Sequence, residues 1–183
     1  MPNRGYPTIL LAAFVAALAC LLPATVLGAQ TGGAQYKPPP QHKARIVHGK
    51  AIAPSDAPEK VKQIIAAANK IVTKPYRYGG GHGSWNDSAY DCSGSVSFAL
   101  HGAHLISSPM DSSQFMSWAR SGPGKWVTVY ANSGHAFMVV AGLRFDTGYH
   151  DRYGADHGAK PGSGPRWGAK RPTSGFVARH PGI

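Results

Sequence analysis

Cys92, in the run Asp91-Cys92-Ser93-Gly94, and His135, in Gly134-His135 ahead of the apolar run Ala136-Phe137-Met138-Val139-Val140, are the residues of this chain best suited to covalent chemistry. A thiol is a strong nucleophile only as the thiolate, and an imidazole beside it takes its proton and lowers its pKa. The chain has 2 cysteines. Cys20 lies in an apolar N-terminal stretch that reads as a secretion signal, so the processed chain keeps Cys92 alone. A lone thiol in an oxidising compartment closes no intramolecular disulfide; it is reactive, intermolecularly paired or incidental. Cys92 opens an expected helix, where the positive end of the dipole and unpaired N–H groups favour a thiolate and its own N–H can help hold an oxyanion. The competing reading is a small buried hydrophobe at a helix start.

Other chemistries are poorly served. Glu59 is the sole glutamate and falls in an N-terminal helix far from the other candidates, whereas a glycosidase needs two carboxylates flanking the bond. His101 and His104 are three apart, and His150, Asp151, Asp156 and His157 cluster in a Gly-rich stretch. Neither spacing matches a helical or hairpin ligand set, so both read as solvated groups and no metal or cofactor is expected.

The elements that must position the thiol and the imidazole follow from periodicity. Residues 1–29 form the secretion signal: Arg4, an apolar run from Thr8 to Leu22 too short to span a bilayer, and small residues for cleavage near Gly28 and Ala29. The alternative is lipoprotein processing at Cys20. Residues 30–54, with Pro38-Pro39-Pro40 and several basic residues, read as an extended, disordered lead. The catalytic domain spans 55–183. Asp56, Pro58 and Glu59 suggest a capped helix start, and Val61, Ile64, Ile65, Ala68 and Ile71 recur at helical spacing until Lys74-Pro75. A second helix from Cys92 carries Val96, Ala99 and Leu100, and a short third one begins at Ser108-Pro109 and carries Phe115, Met116 and Trp118. Trp126 to Tyr130, His135 to Val140 and Leu143 to Thr147 read as strands, the last two joined at Ala141-Gly142. From about 148 the chain is a basic Gly/Pro-rich tail in which Phe176-Val177 suggests a last edge strand. Trp85 and Trp167 read as loop-packing aromatics, and His82, between glycines, as exposed. Helices followed by antiparallel strands make an α+β fold, with N-terminal helices packed on a small antiparallel sheet.

Asp146 is the candidate third polar group. If the turn between the two strands has two residues, paired positions sum to an odd number, so His135 and Asp146 share a face and the carboxylate can orient the ring. A three-residue turn puts them on opposite faces, leaving Asp146 an ordinary hairpin residue.

The ordered series Pro75-Tyr76-Arg77-Tyr78-Gly79-Gly80, Asp91-Cys92-Ser93-Gly94, Ser112-Ser113-Gln114, Pro123-Gly124 and Gly134-His135 resembles the signature of NlpC-type cell-wall cysteine peptidases, over roughly residues 75–147. The resemblance implies a papain-like core and cleavage of peptide bonds in peptidoglycan stems, commonly after γ-D-glutamate. It implies Cys92 as nucleophile and His135 as base, with Tyr76, Asp91 and Ser93 lining a pocket for the stem peptide's free amine. The chain departs from the pattern at Lys125-Trp126, where an acid and an aliphatic residue are usual, and at Phe137, where a glycine is usual. The tail beyond Thr147 has no counterpart in it.

Charge adds a weaker constraint. The chain carries 19 Lys and Arg against 8 Asp and Glu, a formal +11. For an exported protein this favours anionic wall polymers or membrane surfaces over nucleic acid as a partner, beside the peptidoglycan peptide itself, and favours a solvated basic surface with no specific partner over any of them. Three function classes fit: a secreted peptidoglycan endopeptidase or amidase, a catalytically weak wall-binding protein, and an acyl-transfer enzyme using the same thiol on another substrate. Only the first and third need a thiolate.

Overall fold

The computed structural model describes residues 43–148 and 164–183. The leader, most of the expected lead and the His150–His157 cluster lie outside them. Three helices, α1 (Glu59–Ile71), α2 (Cys92–His101) and α3 (Ser112–Phe115), accompany eight strands: β1 (Arg45–Val47), β2 (Lys50–Ile52), β3 (Arg120–Ser121), β4 (Val127–Ala131), β5 (Ala136–Val140), β6 (Leu143–Asp146), β7 (Arg166–Gly168) and β8 (Val177–His180). β1 and β2 form a hairpin, and the rest form one antiparallel sheet in the order β3-β8-β4-β5-β6-β7. The fold is α+β.

α1 buries Val61, Ile64, Ile65, Ala68 and Ile71 as its spacing predicts. Its start differs from expectation: Pro58 stands at the N-cap with no side-chain cap hydrogen bond, so Asp56 and Glu59 form no capping box. α2 packs against both α1 and β5. Being covered on two sides, it buries Ser93, Gly94, Ser95 and Ser97 as well as Val96, Ala99 and Leu100, which is why its sequence lacks a clean amphipathic stripe. α3 starts later than expected, at Ser112, because Asp111 and Gln114 close a reciprocal capping box there. The inner face of the sheet supplies Val127, Val129, Met138, Val140 and Phe145, all inaccessible to solvent, to the core it shares with α1 and α2. Burying side chains of this kind contributes roughly 1.5–3 kcal/mol each.

Two expectations about chain ends need correction. Residues 43–54 are not part of a disordered lead. His48 and Gly49 both have positive φ (48° and 76°), the geometry of a tight two-residue hairpin turn. Asn69 of α1 then grips the hairpin, accepting from Ala51 N at 2.9 Å and donating to Ala51 O at 2.8 Å. The second correction concerns the tail. Val177–His180 is no edge strand but lies between β3 and β4, and Trp167 belongs to the edge strand β7, its ring tilted against Phe145 at 4.8 Å and its indole N–H donated to Asn69 at 2.8 Å. Both segments are short and poor in apolar residues. Pairing with a preformed sheet and a half-buried amide, rather than local propensity, orders them.

Candidate active site

Asp91 prepares the N-terminus of α2 for the thiol. It is the N-cap, accepting from Gly94 N at 2.7 Å through Oδ1 and from Gly79 N at 2.9 Å through Oδ2. Asp91 N in turn donates to Gly80 O at 3.1 Å. The Tyr78–Gly81 loop is thereby wrapped against the first turn of α2. A Cβ on Gly94 would overlap the Gly80 carbonyl oxygen, so Asp-Cys-Ser-Gly ends in glycine for a steric reason. Cys92 follows the cap as the first helical residue, half-buried.

The turn between β5 and β6 has two residues. Val140 pairs with Leu143, and Ala141 and Gly142 have φ of 46° and 87°, as a type I′ turn requires. Met138 and Phe145 are partners on the inner face, so Phe137, Asp146 and, two residues back, His135 share the other. His135 Nε2 meets Asp146 Oδ1 at 2.8 Å. With Nε2 committed, Nδ1 is left for the thiol, and Cys92 bonds the ring of His135 and the backbone N–H of Ala136.

The electrostatics agree with this geometry. Burial pushes the Cys92 thiol up, and the bonds from His135 and Ala136 N–H with the imidazolium charge outweigh it, leaving the pKa below the ordinary 9.0. Burial pulls His135 down, but its bonds to Asp146 and Cys92 and their charges raise it to about 9. Asp146 is 1 % exposed. Burial raises its pKa, yet His135, the Gly148 N–H at 2.8 Å and Arg144 hold it below the usual value. All three shifts favour the same charge pattern, a thiolate, an imidazolium and a carboxylate in a row.

Several parts of this site carried no sequence signal. Arg144, 1 % exposed, places Nε 3.7 Å from Asp146 Oδ2, and Arg171 of the tail places Nη1 3.4 Å from the same oxygen. Phe176, also from the tail, meets the His135 ring edge-on at 6.2 Å. Gly148 leaves so little room that a Cβ would stand 3.2 Å from His135 Nε2. Residues twenty or more positions downstream have no local periodicity linking them to a histidine, and only the strand order brings them there.

The cleft beside Cys92 has a volume of about 310 Å³ and is lined by Tyr76, Asp91 and Ser93, with His82, Asp111 and Gly134 among its other walls. Tyr76 is 40 % exposed, and burial and the charges of Cys92 and Asp91 raise its pKa. His82 corrects its expectation. It is half-buried, with Nε2 3.1 Å from Asp91 Oδ1 and 3.2 Å from Ser93 Oγ. Tyr90, Trp85 and Asp87 hold its loop: Tyr90 OH donates to Trp85 O at 2.7 Å, and Asp87 Oδ2 accepts from Gly81 N at 3.0 Å. Of the two histidines three apart in the sequence, His101 stacks flat on Trp85 at 3.9 Å with Nδ1 3.2 Å from Ile106 O.

No family model and no curated protein matches the chain. Solved structures do resemble it. The peptidoglycan hydrolase RipB from Mycobacterium tuberculosis superposes with a TM-score of 0.49 at 17% identity, covering 70% of each chain. The P60 domain of an antigen from M. avium subspecies paratuberculosis gives 0.48 at 17% identity, over 66% of this chain and 94% of that one. An NlpC/P60 family protein from Bacillus cereus gives 0.48 at 14% identity, over 67% and 40%.

Proposed function

We propose that the protein is a secreted cysteine hydrolase that cleaves amide bonds in peptidoglycan stem peptides, with Cys92 as nucleophile, His135 as acid and base, and Asp146 orienting the imidazole. The observation that carries the reading is the Cys92–His135–Asp146 row, which opens on a cleft rather than being sealed in the core. A structural cysteine has no use for a neighbouring imidazolium that a buried carboxylate holds in place. The NlpC-type signature supplies the substrate class.

The chemistry runs in two halves. The Cys92 thiolate attacks the scissile carbonyl carbon, and the tetrahedral oxyanion forms beside the N-terminus of α2, where the Cys92 N–H and the helix dipole favour negative charge. His135 gives its proton to the leaving amine, the C–N bond breaks, and a thioester remains on Cys92. The now neutral His135 takes a proton from water, hydroxide attacks the thioester, and the acid product leaves with the thiolate restored. Asp146 fixes the tautomer and holds the positive ring throughout without exchanging a proton. Tyr76, Asp91 and Ser93 line the pocket for the stem's free amine. Both Asp91 oxygens already accept from backbone N–H groups, so Asp91 offers that amine a fixed negative field rather than a mobile partner.

Incubating the protein with defined stem peptides and identifying products by mass spectrometry tests the proposal. A new carboxyl terminus and a new amine from the parent, and neither from Cys92→Ala, are the expected result. Equal cleavage by both proteins, or none by either on any γ-D-glutamyl peptide, would sink it.

A further inference from the structure

On the outer side of the sheet, away from the cleft described above, lies a second groove of about 330 Å³. Its walls carry Lys43, Lys125, Lys170 and Arg171, and among the described residues no carboxylate lines it. Arg171 is offset by Asp146, 3.4 Å away, but the three lysines around one concavity create a focused positive potential, which a flat solvated basic face does not. The lining also holds two aromatic side chains, Trp126 and Tyr130, and several hydroxyls. The Lys125 ammonium stands over the Trp126 ring, 5.9 Å from its centroid, so a cation already faces one side of the indole. Thr128 and Thr173 contribute hydroxyl groups.

We propose that this groove binds a segment of acidic carbohydrate polymer, with phosphate or carboxylate groups held by Lys43, Lys125 and Lys170 and a sugar face laid against Trp126. Charged groups repeating along a chain match cations distributed around a groove, and a sugar's C–H face matches a lone indole. Single-stranded nucleic acid fits less well, because it needs successive aromatic platforms for successive bases. The neighbouring Tyr130 ring is already stacked on Phe137 at 5.1 Å and 20°, which takes up one of its two faces. Arg171 is a wall of the groove and also touches Asp146 Oδ2 at 3.4 Å. The three lysines are therefore the groups to alter without disturbing the catalytic row.

The test is equilibrium binding of the intact protein, without turnover, to three fluorescent probes of matched length and charge: a sugar-phosphate polymer, a polyuronate and an oligo-dT. The triple variant Lys43→Ala, Lys125→Ala, Lys170→Ala should bind the acidic glycan at least about tenfold more weakly, with a shallower salt dependence by analogy with polyanion counterion release. A control triple, Lys50→Ala, Lys62→Ala, Lys70→Ala, removes the same charge from α1 and the hairpin and should change binding less than about threefold. Trp126→Ala should weaken both glycans and leave the salt slope unchanged. The sugar-phosphate and polyuronate arms decide which anion the groove prefers. Equal losses in the two triple variants would overturn the proposal in favour of diffuse charge, and oligo-dT binding as tight as the better glycan would overturn the carbohydrate assignment. Because nothing is cleaved in this assay, its failure leaves the hydrolase reading intact.

Discussion

Replacing Asp146 by Asn tests how the imidazole is charged. The Nε2–Oδ1 bond is 2.8 Å long and buried on the carboxylate side, so it belongs with charge-assisted hydrogen bonds of roughly 1.5–3 kcal/mol. At about 1.4 kcal/mol per pKa unit, its loss lowers His135 by about 1–2 units from the value of about 9 it holds in the parent. The thiolate–imidazolium form is favoured over the neutral pair by ten raised to the difference of the two pKa values. Asp146→Asn should therefore cut that equilibrium about tenfold to a hundredfold. An amide can hydrogen-bond the ring, which by itself would leave Asp146→Asn well above Asp146→Ala in activity. The structure argues otherwise, because if the Asn oxygen takes over the bond from Nε2, its NH2 faces the guanidinium groups of Arg144 and Arg171. Removing one partner of a buried ion pair costs up to about 3–5 kcal/mol, so denaturant unfolding should show a substantial loss. Asp146→Asn then lies close to Asp146→Ala in turnover. The assay is the alkylation rate of Cys92 between pH 5 and 9, read by peptide mapping so that Cys20 does not contribute, alongside hydrolysis. An Asp146→Asn protein with the parental alkylation profile and parental turnover would refute the argument.

Other outcomes follow from the same geometry. Hydrolysis should fall as pH rises through about 9, where His135 loses the proton it gives the leaving amine, while alkylation of Cys92 should not fall because the thiolate persists; a parallel decline of both would contradict the assignment. Gly148→Ala brings a methyl 3.2 Å from His135 Nε2 and 3.5 Å from Asp146 Oδ1, and should lower turnover about tenfold with little change in unfolding midpoint. Gly94→Ala forces a methyl into the Gly80 carbonyl oxygen and should destabilise the protein by about 1–3 kcal/mol, measured by urea unfolding.

Much of the site was readable because its signals are local. Asp91-Cys92-Ser93-Gly94 carries its own cap and close approach, and the His135–Asp146 relation follows from a two-residue turn that Ala141-Gly142 announces. The same sequence left the turn length open, since Ala141 must adopt a positive φ that alanine disfavours. Arg171 and Phe176 were invisible for a different reason. They reach His135 and Asp146 only because β7 and β8 join opposite sides of the sheet, a long-range pairing that no short window encodes. His82 looked exposed because glycines flank it, yet Asp91 and Ser93 fix its ring. The β1–β2 hairpin was missed because Asn69, far along the chain, supplies what orders it.

The central claim is that Cys92 becomes covalently attached to the carbonyl half of its substrate. Mixing excess protein with a cleavable stem peptide, quenching in acid within the first turnover and mapping the Cys92 peptide by mass spectrometry measures this directly. A mass increase equal to the acyl fragment, absent from Cys92→Ala and appearing before the free acid product, is the predicted result. Product formed at the parental rate by Cys92→Ala, with no adduct on the parent at any time, would contradict the claim.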